Sequence, residues 1–265
     1  MSEFPRRSLR PMCLPKILLL PLLSVGLSAA LAQESEPLYR LDFAEGSLTN
    51  KGTIGGLAEE NPARTGPVSV QVTQDADGVW QALFEPFPNG SQGPSLLLPE
   101  SGDKLRLGEE AGGLTISTWL KWNGPDQHPD AKQPIIWKAY DQSTPGWALS
   151  VTEGGVLRFD WRTNSGSMNH RLSEQVIAPG EWHQVAVTWK NDDKSGLEFY
   201  IDGNPVKATV SFTGGGPLET AEESIVVGAQ PYGHMPLNGS LRDLRVYDRA
   251  LEADEVSVLA ETPSR

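Results

Sequence analysis

The segment Trp182-His183-Gln184-Val185-Ala186-Val187-Thr188-Trp189-Lys190 is followed, after a polar stretch, by Leu197-Glu198-Phe199-Tyr200-Ile201. In the first run Val185, Val187 and Trp189 fall on one face; in the second Leu197, Phe199 and Ile201 do the same. A repeat of two is the mark of a half-buried strand, so these six side chains define a core face shared by two paired strands. Burying each contributes about 1.5 to 3 kcal/mol before the entropy of ordering is subtracted. Asn191-Asp192-Asp193-Lys194-Ser195-Gly196 joins the two runs, and Asp202-Gly203-Asn204-Pro205 turns the chain once more. Three consecutive antiparallel strands, a meander, follow from that punctuation.

Working outward, similar short runs recur at residues 38–43, 68–73, 79–84, 95–98, 114–122, 134–138, 147–152, 156–161, 170–176, 206–210, 224–228 and 240–247. With the two above they make fourteen strands, enough for two sheets. Glu153-Gly154-Gly155 separates two alternating runs and reads as a hairpin turn. Residues 86–95 and 123–134 are rich in Pro, Gly, Asn and Asp and read as surface loops. The one helical segment is predicted at 252–260, where Val256 and Leu259 lie three apart. Twenty-seven Gly, 21 Pro and eight Trp in 265 residues exclude a coiled coil, a collagen and a helical bundle. The expectation is an all-β, two-sheet antiparallel sandwich with a short C-terminal helix.

The N-terminal end reads differently. Arg6, Arg7, Arg10 and Lys16 precede Ile17-Leu18-Leu19-Leu20-Pro21-Leu22-Leu23, which leads into Ala30-Leu31-Ala32. A basic start, a short apolar middle and a small-residue exit are the layout of a secretory signal peptide over residues 1–32, with the folded domain at 33–265. The apolar run is interrupted by Pro21 and Gly26 and falls short of the roughly 20 apolar residues a membrane span needs. The expected destination is the cell surface, the periplasm or the medium, with no membrane insertion after cleavage. Cleavage leaves 18 basic and 33 acidic residues, a formal charge of −15. Such a surface repels phosphate backbones, which argues against nucleic acid as a partner. Cys13, the sole cysteine, leaves with the leader, so the exported domain has no disulfide and no thiol for zinc or catalysis.

Four segments then stand in order: Leu114 to Lys121; Gly180-Glu181-Trp182-His183-Gln184-Val185-Ala186-Val187-Thr188; Tyr200-Ile201-Asp202-Gly203; and Leu237-Asn238-Gly239-Ser240-Leu241-Arg242-Asp243-Leu244-Arg245-Val246-Tyr247-Asp248-Arg249-Ala250-Leu251. Together they resemble the laminin-G-like jelly-roll domains of the concanavalin A-like lectin/glucanase superfamily, over roughly Leu38 to Leu259. The resemblance implies a jelly roll of two curved sheets, often with calcium at the rim and a carbohydrate or protein ligand on one face. It does not imply one function.

Retaining hydrolases of that superfamily carry Glu-x-Asp-x-x-Glu on one strand, and this sequence lacks it. Glu252-Ala253-Asp254-Glu255 falls on the predicted helix, and His128, His170, His183 and His234 are scattered. His183 reads as a structural histidine near a sheet edge. For calcium, the resemblance points to Asp243 in the last strand, with Asp42 or a carbonyl around 44–46 completing an oxygen shell; an alternative is that Asp243 only accepts backbone hydrogen bonds. For a saccharide, rings that stack and polar groups that pair hydroxyls are needed. Trp137, Tyr140 and Trp147 lie among Arg158, Asp160 and Asn164, and these six are the candidate ligand residues. Alternation sends Leu157, Phe159 and Trp161 one way and Arg158 with Asp160 the other. Trp119 and Trp182 read as core. The expected function is an exported, non-catalytic module binding a glycan or a glycoprotein surface. A degenerate hydrolase or lyase, or a protein-docking domain, is the alternative.

Overall fold

In the computed structural model, the described residues are 36–61, 69–88, 92–102, 104–105, 112–125, 132–138, 146–162, 168–190, 196–211 and 223–261. The leader expected over residues 1–32, Cys13 and His128 fall outside them. Among the described residues there are sixteen strands, one α-helix and two short 3-10 helices at Ala44–Gly46 and Pro231–Gly233. The strands are β1 (Tyr39–Leu41), β2 (Glu59–Glu60), β3 (Gln71–Gln74), β4 (Trp80–Phe84), β5 (Leu96–Leu97), β6 (Gly113–Trp122), β7 (Gln133–Lys138) and β8 (Trp147–Val151). The chain continues through β9 (Val156–Arg162), β10 (Met168–Val176), β11 (Trp182–Lys190), β12 (Leu197–Ile201), β13 (Asn204–Val206), β14 (Ala208–Ser211), β15 (Val226–Val227), β16 (Gly239–Tyr247) and α1 (Ala253–Glu261).

They form two eight-stranded antiparallel sheets. The first runs β13-β12-β11-β6-β16-β4-β3, with β1 also on β16; the second runs β14-β10-β9-β8-β7-β15-β5-β2. β4 pairs with the start of β16 at Gly239 to Leu241 and β1 with its later part at Leu244 to Val246, so the first and last strands are neighbours. The meander is there in the expected register, with Val185 opposite Ile201, Val187 opposite Phe199 and Trp189 opposite Leu197. These residues, with Leu157, Phe159 and Trp161 of β9, belong to one continuous core between the sheets. Strand 206–210 of the sequence reading is two pieces, β13 and β14, which belong to different sheets.

The turns follow their chemistry. Asp202 and Gly203 both hold positive φ, at 53° and 74°, as a two-residue hairpin with a right-handed twist requires. Gly155 has φ 74°, and a Cβ there would meet the Ile177 carbonyl oxygen at 2.5 Å, so a side chain is excluded twice over. His183 is structural: its Nδ1 lies 2.9 Å from Asp202 Oδ2, and its Nε2 accepts the Ala178 N–H at 3.4 Å.

Two bulges decide which side chains leave the core. Between Pro134 and Ile136 the β7–β8 register shifts by one residue, so Ile135 and Ile136 are both buried in the core and Trp137 turns to the outer face. In β16 the shift lies between Arg242 and Arg245, with Asp243 at φ 45° as the extra residue. Leu241 and Leu244, three apart, therefore both reach the core. On the outer face of the first sheet, α1 buries Val256 and Leu259 against Ala186, Tyr200, Tyr247 and Leu251.

The reading of Trp119 and Trp182 as core is corrected. Leu114, Ile116, Leu120 and Trp122 of β6 face the core, which sends Trp119 outward; in β11 Trp182 shares its face with Gln184 and Ala186, opposite the core residues Val185 and Val187. Both indoles are half-buried on the outer face, and the Arg242 guanidinium lies 3.7 Å from the Trp182 ring centroid while pairing with Asp75.

Candidate functional site

Cross-strand register assembles the site on the outer face of the second sheet. Trp137 of β7 lies opposite Ala148 of β8, Ala148 opposite Asp160 of β9, and Asp160 opposite His170 of β10. Because one row of a sheet shares a face, these four residues project to the same side, away from the core. Arg158, two positions before Asp160, projects there as well.

Asp160 is the centre. Its side chain is 5% exposed and receives the Arg158 guanidinium through Nε and Nη2, at 2.7 to 3.0 Å. The Lys132 ammonium donates to the Asp160 Oδ2 at 3.0 Å and lies 5.2 Å from the Trp137 ring centroid. Lys132, 9% exposed, is a charge held in a poorly solvated place. That burial pulls its pKa below the ordinary lysine value, and Arg158 adds to the pull while Asp160 opposes it. The His170 imidazole is likewise pulled down, first by burial, then by the Arg158 charge, with Lys132 in the same direction and Asp160 against.

The donors exceed the acceptors. A guanidinium that grips Asp160 along its Nε–Nη2 edge keeps Nη1 and the second Nη2 hydrogen for another acceptor, and among the described residues Arg158 has none. Among the described residues, two of the three Lys132 ammonium protons and both His170 ring nitrogens also have no hydrogen-bond partner.

Of the six expected ligand residues, the structure brings together Trp137, Arg158 and Asp160. Trp137 is buried at 3% exposure against Ala148, so its ring is a wall of the site rather than an open platform. Trp147 is corrected to a core residue: it alternates with Leu149 and Val151 and stacks on Phe159 at 6.4 Å. Tyr140 and Asn164 lie outside the described residues. Lys132 and His170 are the residues that sequence reasoning missed. His170 was reachable from the β9–β10 register, whereas no local pattern marks Lys132.

The proposed metal ligands sit near the junction of the first and last strands, and both are paired with cations of the chain itself. Asp42 Oδ2 takes the Lys51 ammonium at 2.7 Å, and its Oδ1 takes the Ala44 N–H. Asp243 is bracketed by two guanidinium groups, Arg40 at 3.1 Å and Arg245 at 2.6 Å. Among the described residues no group of three or more His, Cys, Asp or Glu side chains is placed to hold a metal ion.

The family model for Laminin_G_3, described as "Concanavalin A-like lectin/glucanases superfamily", matches residues 89–257. The chain belongs to this superfamily. Adhesion G-protein coupled receptor V1 of Danio rerio is 21% identical over 157 residues, 57% of this chain and 2% of the receptor. Neuronal pentraxin-2 of Cavia porcellus is 24% identical, over 56% of this chain and 34% of its own. The chain thus spans about a third or less of the length of these relatives. Domain 4 of AbnA, a GH43 extracellular arabinanase from Geobacillus stearothermophilus solved in complex with arabinotriose, superposes with TM-score 0.58 and 17% identity. That match covers 85% of this chain and 98% of domain 4, so the two share a fold.

Proposed function

We propose that the chain is an exported, non-catalytic recognition module that binds a saccharide, free or on a glycoprotein surface, through the outer face of the second sheet. The observation that carries this is the set of unused donors on Lys132, Arg158 and His170 around a single carboxylate. Saccharide hydroxyl and ring oxygens are dense acceptors, and a rigid row of four strands holds the donors in fixed relation to them. The complex of AbnA domain 4, a domain of similar fold, with arabinotriose supports this reading. Export rests on the leader layout of residues 1–32.

A retaining hydrolase needs two carboxyl groups about 5 to 5.5 Å apart, one of them free to attack. The cluster is built around one, Asp160, and two cations hold it. A glycan array probed with residues 33–265 and with an Arg158→Gln variant tests the reading. Retention of glycans by the parent and its loss in the variant is expected. A blank array with both proteins, or equal retention by both, overturns it.

A further inference from the structure

Resting on that reading, we infer that the saccharide bound at Lys132, Arg158 and His170 carries a carboxylate. The chain as a whole bears a formal charge of −12, yet this face gathers two cations around one anion. Lys132 and Asp160 are both more than nine-tenths buried, so neither charge is balanced by bulk water. Because Lys132 and Asp160 offset each other, a neutral hydroxyl would satisfy hydrogen bonds but leave the partly exposed Arg158 charge without a counter-charge. A second carboxylate closes both accounts: it neutralises the excess cation and accepts from Nη1 and Nη2 of Arg158 in parallel.

The geometry sets an order of contacts. Arg158, with its side chain 26% exposed, meets the incoming anion first; Lys132 lies beneath, fixed between Asp160 and the Trp137 ring. His170, beside Asp160 on the neighbouring strand, borders the same space. Asp160 acts as a positioning residue, because it aims both cations without touching the ligand.

The Asp243 cluster has the same two-to-one count, with Arg40 and Arg245 on one carboxylate, but it lies at the β16 bulge beside β1, where the two guanidinium groups join the terminal strands; Arg242 has Asp75 and the Trp182 ring, and Arg249 has Glu255 at 2.5 Å.

The test is calorimetric titration of residues 33–265 with galacturonate oligomers, glucuronate-containing oligosaccharides and sialyllactose, each beside its carboxyl methyl ester. Esterification removes the charge and keeps every hydroxyl. The acid forms of at least one series should bind about 10- to 100-fold more tightly than the esters, the range of charge-assisted hydrogen bonds. Arg158→Gln should abolish that preference, and Arg158→Lys should restore part of it. Equal binding of acid and ester keeps the saccharide reading and overturns the carboxylate. Binding of neither, alongside a positive array of neutral glycans, overturns it as well; binding of neither with a blank array removes both readings.

Discussion

The two sheets use the same residue types on their outer faces to opposite ends. On the first, Arg242 lies against the Trp182 ring and pairs with Asp75, while Arg40 and Arg245 share Asp243 beside the end of β1. On the second, Lys132 lies near the Trp137 ring and shares Asp160 with Arg158. The difference is in position and access. The Asp243 cluster sits at a bulge where the terminal strands meet and ties them together, whereas the Asp160 cluster lies mid-sheet on paired strands that need no further tie. Removing charges from the first should therefore cost stability; changing the cations of the second should cost binding.

The largest effect is expected at Asp243. Asp243→Ala removes the carboxylate that two guanidinium groups share and the residue that shapes the bulge, and breaking a buried ion pair costs about 3 kcal/mol. For a domain of this size that lowers Tm by roughly 10 °C. Thermal unfolding followed by circular dichroism measures it; a Tm within about 2 °C of the parent would show that the terminal strands are held by packing alone.

Second in size is Arg158→Gln, for which affinity for the ligand should fall about 10- to 100-fold while Tm stays near that of the parent, because Lys132 still neutralises Asp160. A large Tm loss would make the second face structural and erase the contrast.

Much of this fold was legible because core faces repeat every two residues: the meander and β9 read correctly from Val185, Phe199 and Phe159 alone. The candidate site was half legible. Arg158 and Asp160 were placed correctly by alternation, but Trp137 and Trp147 carry identical local signals and only the bulge at Ile135 sends one outward and leaves the other in the core. Lys132 reaches Asp160, 28 positions away in the chain, through tertiary folding that no spacing encodes. Trp119 and Trp182 are a different matter. Their phase against Leu120 and Val185 already pointed outward, and the bias that large rings belong inside overrode it.

A smaller effect is expected with pH. Burial and the Arg158 and Lys132 charges hold the His170 pKa below its ordinary value, so in the free protein the ring is neutral at pH 7. A bound carboxylate favours the imidazolium and raises that pKa, so binding takes up a proton and affinity grows as pH falls. Between pH 7.5 and 5.5 the gain should be roughly three- to tenfold, and His170→Asn should flatten it. Affinity that weakens over this range would place the ligand's charge away from His170.

The smallest effect should come from calcium, and its near absence is informative. A rim ion would need the oxygens of Asp42 and Asp243, both charge-paired to groups of the chain itself. To bind, the ion must displace Arg245 from a 2.6 Å contact and then remain beside it, exchanging a matched pair for a repulsive one. The guanidinium groups thus fill the electrostatic role an ion would have at the junction of first and last strands. An ion with an affinity 100-fold tighter than its concentration would add about 2.7 kcal/mol, a rise in Tm of roughly 5 to 10 °C. Titrating the desalted domain to about 5 mM calcium, well above the affinity of extracellular calcium modules, should give neither heat nor that rise. In Asp243→Ala the same titration should also be silent. A calcium-dependent rise in the parent that disappears in the variant would show that the arginines give way, and that both sheets keep a site for a ligand.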